Sequence, residues 1–259
     1  MNASRLLEHL SRIIDTPGGM LQLRRFVLDL VVRGRLVQQV ASEVSALQRS
    51  GPREVSTGAS IEFEIPQTWR LVTVADVAIC RLGKMLDKGK NKGTLRRYLR
   101  NTNVRWFDFD LSDAYQMRFE DSELAEFALH SGDVLVCEGG EPGRCAVWDE
   151  READIYFQKA IHRIRFSPAV DPHFFTLVLR QSADSGRLAS YFTGVGIKHL
   201  TGRGLASYLF GVPPLGEQRR IVAKFDELMA LCDRLDEGQA QCAQFRKQLL
   251  EALLHAALA

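Results

Sequence analysis

The stretch "VPPLGEQRRIVAKFDELM", residues 212–229, constrains this chain more than any other. Proline fixes its own φ, offers no amide proton and pushes the residue before it into an extended conformation. Val212 is therefore predicted to close a strand, and a helix can begin only after Pro213-Pro214. Beyond that point the apolar positions are Ile221, Phe225, Leu228, Cys232, Leu235, Cys242, Leu249 and Leu253, in alternating steps of four and three once Gln239 and Arg246 fill the two polar rungs. This is the a/d seam of a heptad repeat, with the polar rungs at a positions, where they fix register and partner number. A helix from Gly216 to the end reaches on the order of 60 Å at about 1.5 Å per residue. That exceeds a compact domain, so residues 214–259 are expected to project and to pair with another helix.

Before this boundary the chain divides again. Residues 1–40 read as two amphipathic helical pieces, "SRLLEHLSRII" and "LQLRRFVLDLVVRGRLV", broken at "DTPGG". Residues 41–60 are small and polar, as in a linker. Residues 61–213 carry short strand candidates: "RLVTVADVAIC", "NVRWFDF", "DVLVCEG", "CAVW", "AIHRIRF" and "SYLFGV", separated by Gly, Asp and Ser clusters. One helix interrupts them, beginning at Asp171-Pro172, an N-cap followed by proline at the first helical position. The expected fold class is α+β: one strand-rich domain flanked by N-terminal helices and a long C-terminal helix.

A content of 46% hydrophobic and 25% charged residues excludes a disordered chain. No apolar run is long enough to span a membrane, since Asp29, Arg33 and Arg35 interrupt "FVLDLVVRGRLV", and the N-terminus lacks a signal-peptide layout. Five cysteines without a C-x-x-C pair fit a reducing compartment, so a cytoplasmic location is expected. Phosphate-loop, zinc-protease, nucleophile-elbow and dinucleotide-turn motifs are all missing. "CEGGEPGRC", with Glu138, Glu141 and Arg144, reads as a hairpin that needs its glycines for positive φ rather than as a carboxylate site. The histidines at 9, 130, 162, 173, 199 and 255 do not pair at ligand spacing, so no metal is expected. His162 reads as structural. His199 lies in "GIKHLTGRG" with Lys198, Thr201 and Arg203, a glycine-flanked loop that lets backbone approach a polyanion.

Charge is unevenly spread. From Arg81 to Arg105 there are nine Lys or Arg against Asp87, so this window carries +8 in a chain of net charge +2. Basic side chains mixed with Gly, Asn and Thr in "GKMLDKGKNKGTLRRYLRNTNVRW" suit phosphate neutralisation and base-edge hydrogen bonding, with Tyr98 and Trp106 to brace or stack. The candidate DNA contacts are Lys84, Lys88, Lys90, Lys92, Arg96, Arg97 and Arg100, with Arg144, Lys198 and Arg203 as a second tier.

The segments "VPPLGEQRRIV", "FDELMALCDRL", "IPQTWRLVTVADVA", "GDVLVCEGGEPGR", "GIKHLTGRGL" and the opening "LLEHL...LRRFVLDLVVRGRLV" together make the chain resemble the specificity (S) subunit of type I restriction-modification systems. That resemblance implies a subunit without catalysis, whose target recognition domain reads half of a bipartite DNA sequence. It also implies long helices that dock methyltransferase (M) subunits, which bind S-adenosylmethionine, and a motor-nuclease (R) subunit, which uses ATP and Mg²⁺; the chain itself is expected to hold no cofactor. Where the family has two recognition domains in tandem, this chain shows one strand-rich block and one heptad helix, the pattern of a half-size form. Two copies joined along Ile221, Phe225, Leu228, Cys232, Leu235, Cys242 and Leu249 would present two identical domains and read an interrupted palindrome. Two rival readings are an autonomous metal-dependent nuclease built on Asp133, Glu138 and Lys159, and a coiled-coil interaction scaffold without sequence-dependent DNA binding.

Overall fold

The structure is a computed structural model that describes residues 16, 18–40, 42, 43, 45, 47, 63–87 and 89–258. The first expected helical piece, most of the expected linker and Lys88 lie outside the described residues.

After helix α1 (Gly19–Val32) come β1 (Arg70–Thr73), the single turn α2 (Val74–Val77), β2 (Ala78–Leu82), β3 (Thr94–Leu99), β4 (Tyr115–Phe119), α3 (Asp121–Phe127), β5 (Val134–Cys137), β6 (Cys145–Val147), β7 (Ile155–Phe157) and β8 (Ile161–Phe166). Helix α4 (Pro172–Asp184), the short α5 (Gly202–Ala206), β9 (Leu209–Val212) and the long α6 (Leu215–Leu258) complete the order.

The central layer is an antiparallel sheet of order β2-β8-β5-β6. Its middle strand β5 is "VLVC", buried at every position because both faces are covered. Val134 and Val136 join Cys145 and Ile164 in a core shared with α1, α4 and the start of α6. Leu135 and Cys137 turn the other way, with Ala146 and Ile161, onto the sheet β4-β3-β7 and its Tyr98, Leu99, Phe119 and Phe157. A third pairing, β1 with β9, runs antiparallel from Arg70↔Val212 to Thr73↔Leu209 and brings the two ends of the body together.

Several expected elements form for the expected reasons. Asp171 caps α4 by accepting hydrogen bonds from the amides of His173 and Phe174, with Pro172 in the first turn. Others differ. "RLVTVADVAIC" is two strands separated by α2, whose Thr73/Asp76 capping box turns the chain between sheets. "NVRWFDF" is not a strand: a 3₁₀ turn at Asn101–Asn103 is followed by a bridge from Val104 to Phe109, with Phe107 at φ 67°.

The Pro-Pro-Leu-Gly-Glu-Gln element is an anchor. Trp69 Nε1 donates to Glu217 Oε1 at 2.9 Å, and both side chains are buried. Gln218 Oε1 accepts from the Asp171 amide at 2.7 Å, while its Nε2 donates to the carbonyls of Ala169 and Pro213, each at 2.9 Å. Four turns of α6 then lie on the body. Ile221, Phe225 and the half-buried Leu228 pack into the helical core, Cys232 packs with Met20 and Leu23 of α1, and Arg24 of α1 binds Asp233 at 2.8 Å and Asp236 at 2.6 Å. This corrects the expected seam. Its first four rungs, Ile221, Phe225, Leu228 and Cys232, are taken by the chain's own helices, because α1 and α4 present an apolar face at the point where α6 starts. Beyond Asp236 the helix leaves the body, and its last 22 or so residues extend about 33 Å. Leu235 is exposed at its root, and Cys242, Phe245, Leu249 and Leu253 are exposed along it.

Candidate nucleic-acid interface

One end of the body gathers loops from five parts of the chain, and backbone hydrogen bonds fix them to each other. The β7–β8 turn meets the start of the β2–β3 loop: Lys84 N donates to the Phe157 carbonyl, and Lys159 N to that of Lys84. This approach requires glycine at 83, where a Cβ would lie 2.3 Å from the Gln158 carbonyl oxygen. The β5–β6 hairpin joins on the other side, with Glu138 N bonded to the Ala160 carbonyl and Leu200 N to that of Glu138. The 3₁₀ turn contributes Asn101, whose Nδ2 donates to the Gly139 carbonyl and whose own carbonyl accepts from Arg144 at 2.8 Å. His162 locks the fifth loop: its ring Nε2 lies 3.0 Å from the Leu200 carbonyl in a buried setting, and burial pushes its pKa down, so the neutral ring donates there. It is structural, as expected.

Most cations of the basic window are paired once the chain folds, nearly all of them by acids from outside the window. Of its nine cations, seven have acidic partners: Arg81 with Glu126, Lys84 with Glu123, Lys90 with Asp87 at 3.6 Å, Arg96 with Asp154 at 3.8 Å, Arg97 with Glu152, Arg100 with Asp113 at 2.5 Å, and Arg105 with Asp110 at 3.2 Å. Lys84 departs furthest from the expected role. Only 8% of its side chain is exposed and its ammonium sits 5.1 Å above the Phe119 ring, so it is a structural cation and not one presented to phosphate. Arg97 also donates to the Leu111 carbonyl, and Arg100 stacks on Tyr115 at 3.7 Å, which ties both to the outer sheet. Arg144 is shared between Glu141 at 3.0 Å and Asn101. Lys88 lies outside the described residues.

The exposed cations at the loop-bearing end are different. Lys92, Lys159 and Arg203 have no acidic partner among the described residues, and Lys198 donates only to the Gly194 carbonyl, at 2.9 Å. Arg203 stands on α5, a short helix where an open loop was expected; Thr201 caps it by accepting from the Gly204 amide. A hollow of about 460 Å³ beside Lys159 is lined also by Met85 and Asn91. Exposed ammonium and guanidinium groups around amide and imidazole side chains suit a phosphate backbone flanking base edges.

Sequence reasoning placed Lys159 only in the rival nuclease centre and did not single out Asn91, Asn101 or Gln158, which the fold brings to this end. A single lysine in "FQKAIH" gives no local charge signal, and only the fold brings it beside Glu138 and the 193–203 loop.

The expected alternative nuclease centre does not assemble. Asp133 and Glu138 flank the two ends of β5, about 16 Å apart at strand spacing. Asp133 is buried and held by both Arg165 Nε and a terminal nitrogen at 2.7 Å. Among the described residues no three His, Cys, Asp or Glu side chains gather as a metal site. Burial pushes the Cys80 and Cys137 thiols up to about 11, away from the reactive thiolate. No helix among the described residues is long and apolar enough to cross a membrane.

Residues 66–241 match the family described as the type I restriction modification DNA specificity domain. The type I restriction enzyme EcoAI specificity subunit of Escherichia coli is 22% identical, the match covering 99% of this chain and 48% of that protein. The EcoEI specificity subunit of Escherichia coli is 19% identical with the same two coverages, 99% and 48%. The chain thus spans about half the length of the curated relatives it matches. Among solved structures, the HsdS subunit from Thermoanaerobacter tengcongensis superposes with a TM-score of 0.56 at 16% identity, over 91% of this chain and 50% of that one. A chain from work on complex assembly and conformational transition of the type I R-M system gives 0.56 at 15% identity, over 95% and 55%. At these identities the likeness is one of fold, and that fold mixes helix and sheet with a long C-terminal helix, as the sequence predicts.

Proposed function

The chain belongs to the type I restriction modification DNA specificity domain family, and from that premise we propose that it is a non-catalytic, sequence-reading subunit whose loop-bearing end docks on duplex DNA. The observation that carries the proposal is the convergence of Lys159, Lys198 and Arg203, exposed and without acidic partners among the described residues, on one end of the body. Lys90 and Lys92 extend the same surface along the β2–β3 loop. Arg96, Arg97, Arg100 and Arg144 act one step behind it, holding the outer sheet and the 3₁₀ turn in place.

In this reading the helices serve assembly. Methyltransferase and motor-nuclease subunits dock along α1 and α6 and supply S-adenosylmethionine, ATP and Mg²⁺ chemistry, while this chain holds no cofactor and works in the cytoplasm. The projecting half of α6 pairs with a second copy through Leu235, Cys242, Leu249 and neighbouring Phe245 and Leu253, whose exposure in a single chain leaves an apolar stripe to cover. Two bodies held by a twofold rod read an interrupted palindrome, with the spacer set by rod length.

The test is selection of randomised duplexes by the purified full chain, followed by sequencing. The reading expects a two-part motif separated by a fixed spacer, and intact DNA after incubation with Mg²⁺. An unenriched pool, or cleavage by the chain alone, refutes it.

A further inference from the structure

Thr193 and His199 exchange both backbone hydrogen bonds at 2.9 Å, closing a short hairpin around "GVGIK". At its tip Val195 is fully exposed and Ile197 is 75% exposed, two aliphatic side chains presented to solvent. Two glycines frame Val195. Gly194, at φ 96°, is obligatory, because a Cβ there would lie 2.2 Å from the Ile197 carbonyl oxygen. Gly196 is not at positive φ and a Cβ on it would meet nothing within 4 Å, so its smallness serves no internal packing.

The hairpin rises at the loop-bearing end. His199, at its foot, packs against Gly139 of the β5–β6 hairpin, and Leu200 is tied to Glu138. Lys198 is the charged side chain of the hairpin itself, its ammonium 2.9 Å from the Gly194 carbonyl, and Arg203 is exposed on the short helix that follows. An apolar tip on a narrow hairpin that carries an exposed lysine suits the major groove, which is about 8.5 Å deep, while three extended residues reach about 10 Å. Two side chains are too few to make a protein interface of standard size.

Resting on the reading of the chain as a DNA specificity subunit, we propose that the 193–199 hairpin enters the major groove and that Val195 and Ile197 read the C5-methyl groups of thymine, with Gly196 left bare so that the backbone clears the base edges. Lys198 places its charge on the flanking phosphates. This is the one pattern on a base-pair edge that an aliphatic side chain can distinguish.

The experiment uses the full chain and the duplex it selects from a randomised pool, with each selected thymine replaced in turn by deoxyuridine, which lacks only the methyl group. Wild type loses about fourfold in affinity at one or two adjacent positions, the value of one methyl group moved out of water. The exposed-loop variant Val195→Ser/Ile197→Ser melts like wild type but binds the thymine and deoxyuridine duplexes equally. Gly196→Leu, which the fold accommodates, weakens the selected duplex more than tenfold.

If the double variant keeps the full deoxyuridine penalty, or if no position carries one, the hairpin assignment is overturned while DNA specificity stands. If the variant binds DNA normally but no longer co-purifies with a methyltransferase subunit, the hairpin is a protein contact and the assignment is again overturned. If wild type selects no sequence at all, both this inference and the proposed function fall together.

Discussion

Trp69 Nε1 donates to Glu217 Oε1 across 148 positions of sequence, joining the strand that opens the body to the helix that leaves it. The bond is buried, and burial raises the Glu217 pKa above the ordinary carboxylate range despite the indole and Arg220. A raised folded pKa favours the protonated form, so this carboxyl supports the fold most fully below about pH 4.5 and loses support as pH rises through its folded pKa. Glu217→Gln keeps an acceptor for Trp69 without a buried charge. Its stability relative to wild type should therefore increase from acid to neutral pH in urea melts. Glu217→Ala orphans the indole and should destabilise by about 1–3 kcal/mol at every pH.

Lys159→Ala, Lys198→Ala and Arg203→Ala should each weaken binding to selected and unselected duplexes alike, and each should reduce the slope of log K against log salt by about 1. Lys84→Met removes a cation paired with Glu123, and should lower the melting temperature without changing that slope. Anisotropy titrations at several salt concentrations separate the two outcomes.

The two halves of α6 should respond oppositely to substitution. Phe225→Ala opens a buried site and should destabilise by about 3–5 kcal/mol, as large core deletions do. Leu249→Glu with Leu253→Glu changes only exposed positions, and should leave the melt of the single chain intact while shifting sedimentation from dimer to monomer.

His162 gives the loop-bearing end a pH dependence. Its pKa is depressed by burial, so the stability it contributes is full above about pH 6.5 and is lost as pH falls through the folded value. Amide exchange at Leu200–Gly204, corrected for intrinsic rate, should accelerate in mildly acidic buffer, and His162→Gln should remove that pH dependence.

The sequence made the frame legible because its signals are local. Pro213-Pro214 marks the start of α6, Asp171-Pro172 marks the start of α4, and the runs "VLVC" and "IHRIRF" mark strands. It hid β3, because Arg96 and Arg97 break the alternation and only cross-sheet acids accommodate them. The basic window overstates the free charge for the same reason. The acids that pair with Arg81, Lys84, Arg97 and Arg100 come from residues 113–152, so a count over neighbouring positions sees charge that the fold cancels. The heptad was readable, but a seam does not say whose helix fills it, and α1 and α4 fill the first half. Val195 and Ile197 carry no signal in the sequence, since exposure is a property of the fold.

The antiparallel pairing of Arg70 with Val212 has an architectural consequence. The polypeptide enters and leaves the strand-rich body through a single doorway, while the core that α4 shares with the two flanking helices locks that body to the frame. A graft cut at β1 and β9 exchanges the whole loop-bearing end together with α4, so it must keep the backbone of Ala169 and Asp171 that holds Gln218 and the apolar face that seats Ile221 and Phe225.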